Sequence, residues 1–332
     1  IKILNTKIKN IDFVIQIADI HIKLLKRHDE HREVFSKLFE SIKSTPKTTA
    51  IFILGDVLHN KLDLVPECVQ LTKEFLCSLS DLRPTILIAG NHDCNLSNKN
   101  RLDSLSPIVE AINHPNLFYL KESGLYGFGN ICINNYSILD EPDEYLRGKD
   151  IPSIYRNEYK YFVCLFHGTV DGAESEMGFK LINKSMTRFV FDHHDLVLLG
   201  DIHKSQDLQQ YDFDQNKPYI RYCGSLNQQN HGESLKGHGY TLWNLKEKSY
   251  QHIEIPNDYG YFTIRVDEGK IKTDLSDIPK KSRIRLSLYE TLPTETKEVI
   301  KEIKERTELV EPPTYTREES KLENKRTEVL TV

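Results

Sequence analysis

The sequence has little of several things, and each shortage narrows the field. No apolar run approaches the ~18–20 residues that cross a bilayer, and no charged-then-apolar leader precedes the first strand pattern, so no membrane role is expected. Six cysteines (Cys68, Cys77, Cys94, Cys132, Cys164, Cys223) are scattered without one CxxC pair. They read as reduced intracellular thiols, not as a disulfide framework or a zinc knuckle. There is no GxSxG elbow for a nucleophilic serine and no GxxxxGK[ST] loop for ATP. Repeats of solenoid length and low-complexity tracts are missing too. Positive charge is short: 44 Lys and Arg against 49 Asp and Glu give a net charge of −5, which weighs against nucleic acid as a partner. What is present is ordinary: 332 residues, 39% hydrophobic and 28% charged, enough for about two domains with a sizeable core.

The first two hundred residues repeat one grammar. A short β-branched run ends in a Gly/Asp/His/Asn cluster, and a helix-patterned stretch follows. Ile11–Ile17 leads into Asp19-Ile20-His21, then a helical pattern over Leu24–Ile42. Ala50–Leu54 leads into Gly55-Asp56, then Leu64–Leu79. Thr85–Ala89 leads into Gly90-Asn91-His92-Asp93, then Leu102–Ile112. Tyr161–Phe166 leads into His167-Gly168, then a helical pattern over Phe179–Phe191, and Leu196–Leu199 leads into Gly200-Asp201-Ile202-His203. Apolar runs of this length between helical segments predict an α/β fold with strands buried on both faces. Open α/β sheets place ligands at the carboxyl ends of their strands, so five clusters there point to one site. Leu117–Leu139 reads as a hairpin pair, and Tyr219–Pro256 as all-β. A domain boundary is expected near Asn257–Gly260, giving residues 1–256 and 257–332. The tail adds two strands, a helix over Glu295–Arg306 and a polar end from Pro313.

One cluster means little: with 22 Asp and 13 His, about one Asp-x-His arises by chance, and four occur, of which Asp29-x-His31 and Asp192-x-His194 lie at no strand end. That all five clusters end predicted buried strands is what chance does not supply. Asp19, His21, Asp56, Asn91, His167, Asp201 and His203 offer carboxylates, imidazoles and one amide, and no thiolate. That mix suits Mn²⁺, Fe²⁺ or Zn²⁺. Seven donors are too many for one ion with an open position and suit two ions about 3.5–4 Å apart, the arrangement for in-line displacement at phosphorus. His92 and His59 are left beside the cluster as imidazoles for proton transfer.

Asp19-x-His21, Gly55-Asp56-x-x-His59, Gly90-Asn91-His92-Asp93, His167-Gly168 and Gly200-Asp201-x-His203 resemble, in order, the five motifs of the calcineurin-like metallophosphoesterases. With His59, Tyr222-Cys223-Gly224-Ser225 and Gln228-Gln229-Asn230-His231-Gly232-Glu233, the match over Ile11–Pro256 is similar to the SbcD nuclease subunits of SbcCD-type double-strand-break repair complexes. The resemblance implies a four-layer α/β/β/α sandwich with a small α/β cap at 257–332. It implies one ion held by Asp19, His21, Asp56 and His203, and another by Asp56, Asn91, His167 and Asp201. It implies that His92 protonates the leaving group or otherwise stabilises the transition state, and that His59 steadies the scissile phosphate. Mn²⁺ is the implied metal, with Mg²⁺, Fe²⁺ or Zn²⁺ as alternatives. The implied partners are DNA (double-strand ends, hairpins or single strands), an SMC-like ATPase and a second copy of the chain. The family has Gly-His-x-His at the last motif where this chain has Gly-Asp-x-His, so Asp201 brings more charge than an imidazole.

Blander readings stand beside these. A phosphoesterase acting on small nucleotides or phosphoproteins would share the metal site, and an end-binding scaffold would have an impaired one. Lys99 and Arg101 are candidate phosphate contacts, though loop cations are commonly just solvated. Asp93 reads as a loop cap, and His28, His31, His193 and His194 as surface residues. Asp19, Asp56 and Asp201 carry three of the acidic charges, and two divalent ions would offset them. The acidic balance then no longer excludes DNA.

Overall fold

Both faces of the apolar strands are buried, and alternation along each strand shares them between two cores. The structure, a computed structural model, describes residues 1–61 and 63–317. It divides into two compact units, residues 1–227 with 236–256, and residues 228–235 with the chain from Asn257 onward. The larger unit contains β1 (Lys2–Leu4), β2 (Phe13–Ile17), α1 (His28–Lys43), β3 (Thr49–Leu54), α2 (Pro66–Leu82), β4 (Thr85–Ile88), α3 (Ser106–Ile112) and β5 (Leu117–Tyr119). Then come β6 (Gly124–Phe128), β7 (Ile131–Tyr136), α4 (Ser153–Glu158), β8 (Tyr161–His167), β9 (Leu196–Gly200), β10 (Gln206–Gln209), β11 (Tyr219–Tyr222), β12 (Gly239–Asn244) and β13 (Ser249–Glu254). A seven-stranded sheet runs β1-β6-β7-β8-β9-β11-β10, and a six-stranded sheet runs β13-β12-β2-β3-β4-β5. Strands β2 to β5 are parallel, as are β7, β8, β9 and β11.

Successive side chains of a strand point to opposite faces. Ala50, Phe52 and Leu54 of β3 therefore fill the space between the sheets, while Ile51 and Ile53 meet Phe35, Leu38, Leu71 and Phe75 of α1 and α2. Val163 and Leu165 of β8 face inward; Cys164 and Phe166 face out, against Tyr145, Met186 and Phe191. Phe52 meets Phe128 across the sheets at 6.1 Å between ring centroids. Each such side chain removed from water contributes roughly 1.5–3 kcal/mol. Gln16, buried in β2, stitches the two sheets: its Nε2 donates to Leu199 O and Arg221 O, and its Oε1 accepts from Trp243 Nε1 at 2.8 Å. The layers are thus α/β/β/α, the last one built mainly of irregular chain with α4 and a short 3₁₀ turn, Arg188–Phe191.

Four sequence expectations need correction. Phe179–Phe191 is not an α-helix, because Asn183 Oδ1 accepts from Ser185 N and Met186 N and closes a local turn before the 3₁₀ segment. In Leu117–Leu139 only β6 and β7 pair as a hairpin, whereas β5 joins β4 in the other sheet. His31 is fully buried, its Nδ1 on Arg27 O at 2.8 Å and Nε2 on Ile20 O at 3.2 Å. His194 is buried as well, between Phe191 O and the Asn134 amide.

The smaller unit contains β14 (Tyr259–Asp267), β15 (Lys270–Ile271), β16 (Lys281–Tyr289), α5 (Pro293–Lys304), β17 (Glu308–Leu309) and β18 (Thr314–Arg317). Its sheet runs β15-β14-β16-β17, with β18 beside β16. Pro293 starts α5 and Glu295 accepts from Leu292 N at 2.7 Å, while Val299 and Ile303 pack on Ile264, Val266 and Leu286. Residues 228–235, placed with the larger domain on sequence grounds, belong to this unit: Gln228 Oε1 accepts from Tyr261 N at 2.7 Å. The polar end expected from Pro313 lies, past residue 317, outside the described residues.

Candidate metal centre

Five loops at the carboxyl ends of β2, β3, β4, β8 and β9 bring the expected ligands together. Four of them, Asp19 (φ 53°), His21 (φ 52°), Asp56 (φ 52°) and Asp201 (φ 97°), adopt left-handed backbone that non-glycine residues avoid, at a cost on the order of 1–3 kcal/mol each. Neighbouring chain holds them there. Ile20 N and His21 N both donate to Asp56 O at 2.9 Å, and Asp201 N donates to the Asp19 carboxylate at 3.2 Å. Two glycines are required by close approach: a Cβ on Gly90 would collide with Asp56 Oδ1, and one on Gly200 with Leu54 O.

The donors form two overlapping sets, Asp19 with His21 and His203, and Asp19 with Asp56 and His167, the ligand atoms of each within 4.8 Å of one another. His21 Nε2 faces His203 Nε2 at 3.1 Å and Asp56 Oδ2 at 3.6 Å. His167 Nδ1 donates to Leu54 O at 2.6 Å. Its Nε2 therefore points at Asn91 Oδ1 (3.0 Å), Asp56 Oδ1 (3.4 Å) and Asp201 Oδ1 (4.0 Å). Asp56 sits between both groups of donors. Asp201 reaches the cluster through His167 and is oriented by Thr169, whose Oγ1 donates to Asp201 Oδ2 at 2.9 Å.

This packing is electrostatically costly without a cation. Burial raises the Asp19 carboxyl to about 7, against the pull of His203 and His167. Burial opposes the charge of Asp56 too, yet His167 and His21 hold its pKa below the usual carboxylate range. Burial alone would depress His167, but Asp56 and then Asp19 and Asp201 lift it well above the ordinary histidine value. His21 is held well below that value by burial. Two imidazole nitrogens face to face, and a third ringed by three oxygens, are the arrangement a positive charge satisfies. The donor chemistry fits divalent ions held by carboxylate and imidazole.

His92 and His59 stand beside this cluster. Their rings stack at 5.2 Å with 19° between planes, and His92 meets His21 edge-on at 4.8 Å. His92 N donates to Asp56 Oδ1 at 2.8 Å and its Nδ1 to His59 O at 2.7 Å. The nitrogens of His21, His59 and His92 form a third close set, without a carboxylate. Lys99 and Arg101 are exposed, and Lys99 pairs with Glu141 at 2.7 Å. Asp93 caps its loop, accepting from Leu58 N and Gly90 N. Thr169 went unnoticed in the sequence; its place two residues after His167 was the available signal.

Residues 14–205 match the family described as calcineurin-like phosphoesterase. The chain is also 41% identical, over 297 residues and 87% of its length, to an uncharacterized protein of Acanthamoeba polyphaga mimivirus, and spans 21% of that protein. Among the described residues no helix is long and apolar enough to cross a membrane. The ordered motifs, the converging donors and the match over more than half the sequence lead to one conclusion: the chain belongs to the calcineurin-like phosphoesterases, metal-dependent hydrolases.

Proposed function

We propose that this chain is a Mn²⁺-dependent DNA nuclease that hydrolyses phosphodiester bonds, endo- or exonucleolytically, in DNA-end processing, as a homodimer working with an SMC-like ATPase. The observation that carries the reading is the His92–His59 pair beside the donor cluster, together with the motif order and the Gln228–Glu233 stretch that resemble SbcD. Asp19, His21, Asp56 and His203 would hold one ion, and Asp56, Asn91, His167 and Asp201 the other. When bound, such a pair polarises the phosphoryl oxygens and acidifies water.

The protein's own residues do the rest. Asp56 ties both donor groups to one carboxylate, so the two positions move together. His92 is fixed from two sides, through its backbone N–H on Asp56 and its Nδ1–H on His59 O, which leaves Nε2 to deliver a proton to the leaving alkoxide. His59 stacks behind it and steadies the phosphate. Lys99 and Arg101 supply contacts to the nucleic-acid backbone; the exposed Lys99–Glu141 pair is weak enough for a phosphate to displace.

A linear DNA duplex with Mn²⁺ tests the reading. DNA should be degraded, the reaction should stop with chelator, and His92→Ala should lower kcat by about 10²–10⁴-fold. Turnover of bis-p-nitrophenyl phosphate with DNA left intact would replace this reading by a small-substrate phosphodiesterase. End binding without turnover of either would leave a scaffold.

A further inference from the structure

At the opposite end of β8 from His167 lies a second cavity, about 410 Å³ in volume, walled entirely by the larger unit. Phe162 on its wall and His167 in the metal cluster are five residues apart along one extended strand, roughly 16 Å, so the two places are separate. Lys149, Arg156 and Lys160 line the cavity, and none of them makes an ion pair among the described residues. Arg156 is held in position: its Nη2 donates to Gly148 O at 2.5 Å and to His193 O at 2.9 Å, and its guanidinium lies 4.3 Å over the Phe162 ring. The one carboxylate on the wall, Asp195, is spent, since Oδ1 pairs with Lys248 at 2.5 Å and Oδ2 accepts from Phe162 N at 2.7 Å. The lining is therefore cationic in net terms. Beside the cations stand Tyr211 and Phe213, the latter 76% exposed.

A neighbouring cavity of about 340 Å³ shares Lys149 and His193 with it. That cavity is walled by Arg147 and Asp192, whose Nη1 and Oδ1 are buried without a hydrogen-bond partner. A donor and an acceptor left unpaired at the wall cost free energy that a ligand group able to give and take a hydrogen bond would recover.

We propose that this pair of cavities binds a nucleoside phosphate, free or as one nucleotide of a strand, with the phosphate among Lys149, Arg156 and Lys160 and the flat ring against Phe213 and Tyr211. Three unpaired cations select an anion, and the aromatic pair selects a ring over a simple phosphate or an acidic peptide. The volume suits a small ligand.

The test uses the full chain, stripped of metal with EDTA, and calorimetric titration with four probes: deoxyadenosine monophosphate, inorganic phosphate, a hexaglutamate peptide and a ten-nucleotide single strand. The nucleotide or the strand should bind at least tenfold tighter than phosphate or peptide. The Lys149→Ala/Lys160→Ala double variant should weaken that binding at least tenfold, and Phe213→Ser should abolish the advantage over phosphate. All three positions are exposed, and thermal melting verifies that the variants fold. Binding of the mononucleotide identifies a free nucleotide as the occupant; binding of the strand alone identifies a nucleic-acid chain. No binding by any probe, equal binding of phosphate or peptide, or affinity unchanged in both variants would overturn the proposal.

Discussion

His167 shows how one side chain is committed by its surroundings. Leu54 O takes its Nδ1–H, so Nε2 must answer three oxygens at once. The backbone around it leaves no slack: a methyl at Gly200 would strike Leu54 O and lie 2.8 Å from His167 Nδ1. Gly200→Ala should therefore destabilise the protein by about 1–3 kcal/mol in chemical denaturation and weaken Mn²⁺ binding. Wild-type values of both would show that the close approach is dispensable. His194 makes a separate test. It donates from Nδ1 to Phe191 O and accepts at Nε2 from Asn134 Nδ2, so a second ring proton would face a donor, and burial lowers its pKa from 6.5 to about 4. Between those values the unfolded chain binds the proton and the folded one does not, so its stabilisation is full above about 6.5 and is lost as pH falls towards 4. The stability advantage of wild type over His194→Gln should shrink by on the order of 2–3 kcal/mol between pH 7 and pH 4. A constant difference would contradict this.

Elements carry the residues to the centre. The first turn of α1 is tied to the Asp19–His21 loop through His31 on Ile20 O, and Arg27 holds Glu30 in a buried two-point ion pair at 2.7 and 2.8 Å. Glu30→Ala removes the carboxylate of this buried pair and should cost about 3–5 kcal/mol in denaturant unfolding, with loosened Mn²⁺ binding. A loss under 1 kcal/mol would assign the pair no such role. This scale also shows what the sequence could and could not reveal. β2, β3, β4, β8 and β9 were legible because both their faces are buried, which produces uninterrupted apolar runs, and because each ends in a polar cluster. The pattern at Phe179–Phe191 looked equally helical, yet Asn183 supplies backbone partners of its own. β1 is three residues long and was invisible. His31 is held by the nearby Arg27 O and Ile20 O, whereas the burial of His194 depends on a partner far along the chain, Asn134, sixty residues away. No local pattern records such contacts.

For the whole molecule, the net charge of −5 opposes the proposed nucleic-acid partner, and bound divalent ions would reduce that opposition. Ions that bind only the folded state stabilise it, by about 2.7 kcal/mol at a concentration of 100 Kd. Mn²⁺ should accordingly raise Tm, and EDTA should reverse the rise; an unchanged Tm would argue against a folded-state site. Under the proposed function, Lys99→Ala and Arg101→Ala should each weaken DNA binding and reduce its dependence on salt by about one counterion. Unaltered salt dependence would move the DNA path elsewhere. The central claim, that five strand ends build one centre for two ions with Asp56 shared between them, is tested most directly by Mn²⁺ stoichiometry. Equilibrium dialysis with elemental analysis should find two tightly held ions per chain in the wild type and neither at full affinity in Asp56→Ala. No tight Mn²⁺ in the wild type, or two ions retained by Asp56→Ala, would contradict it.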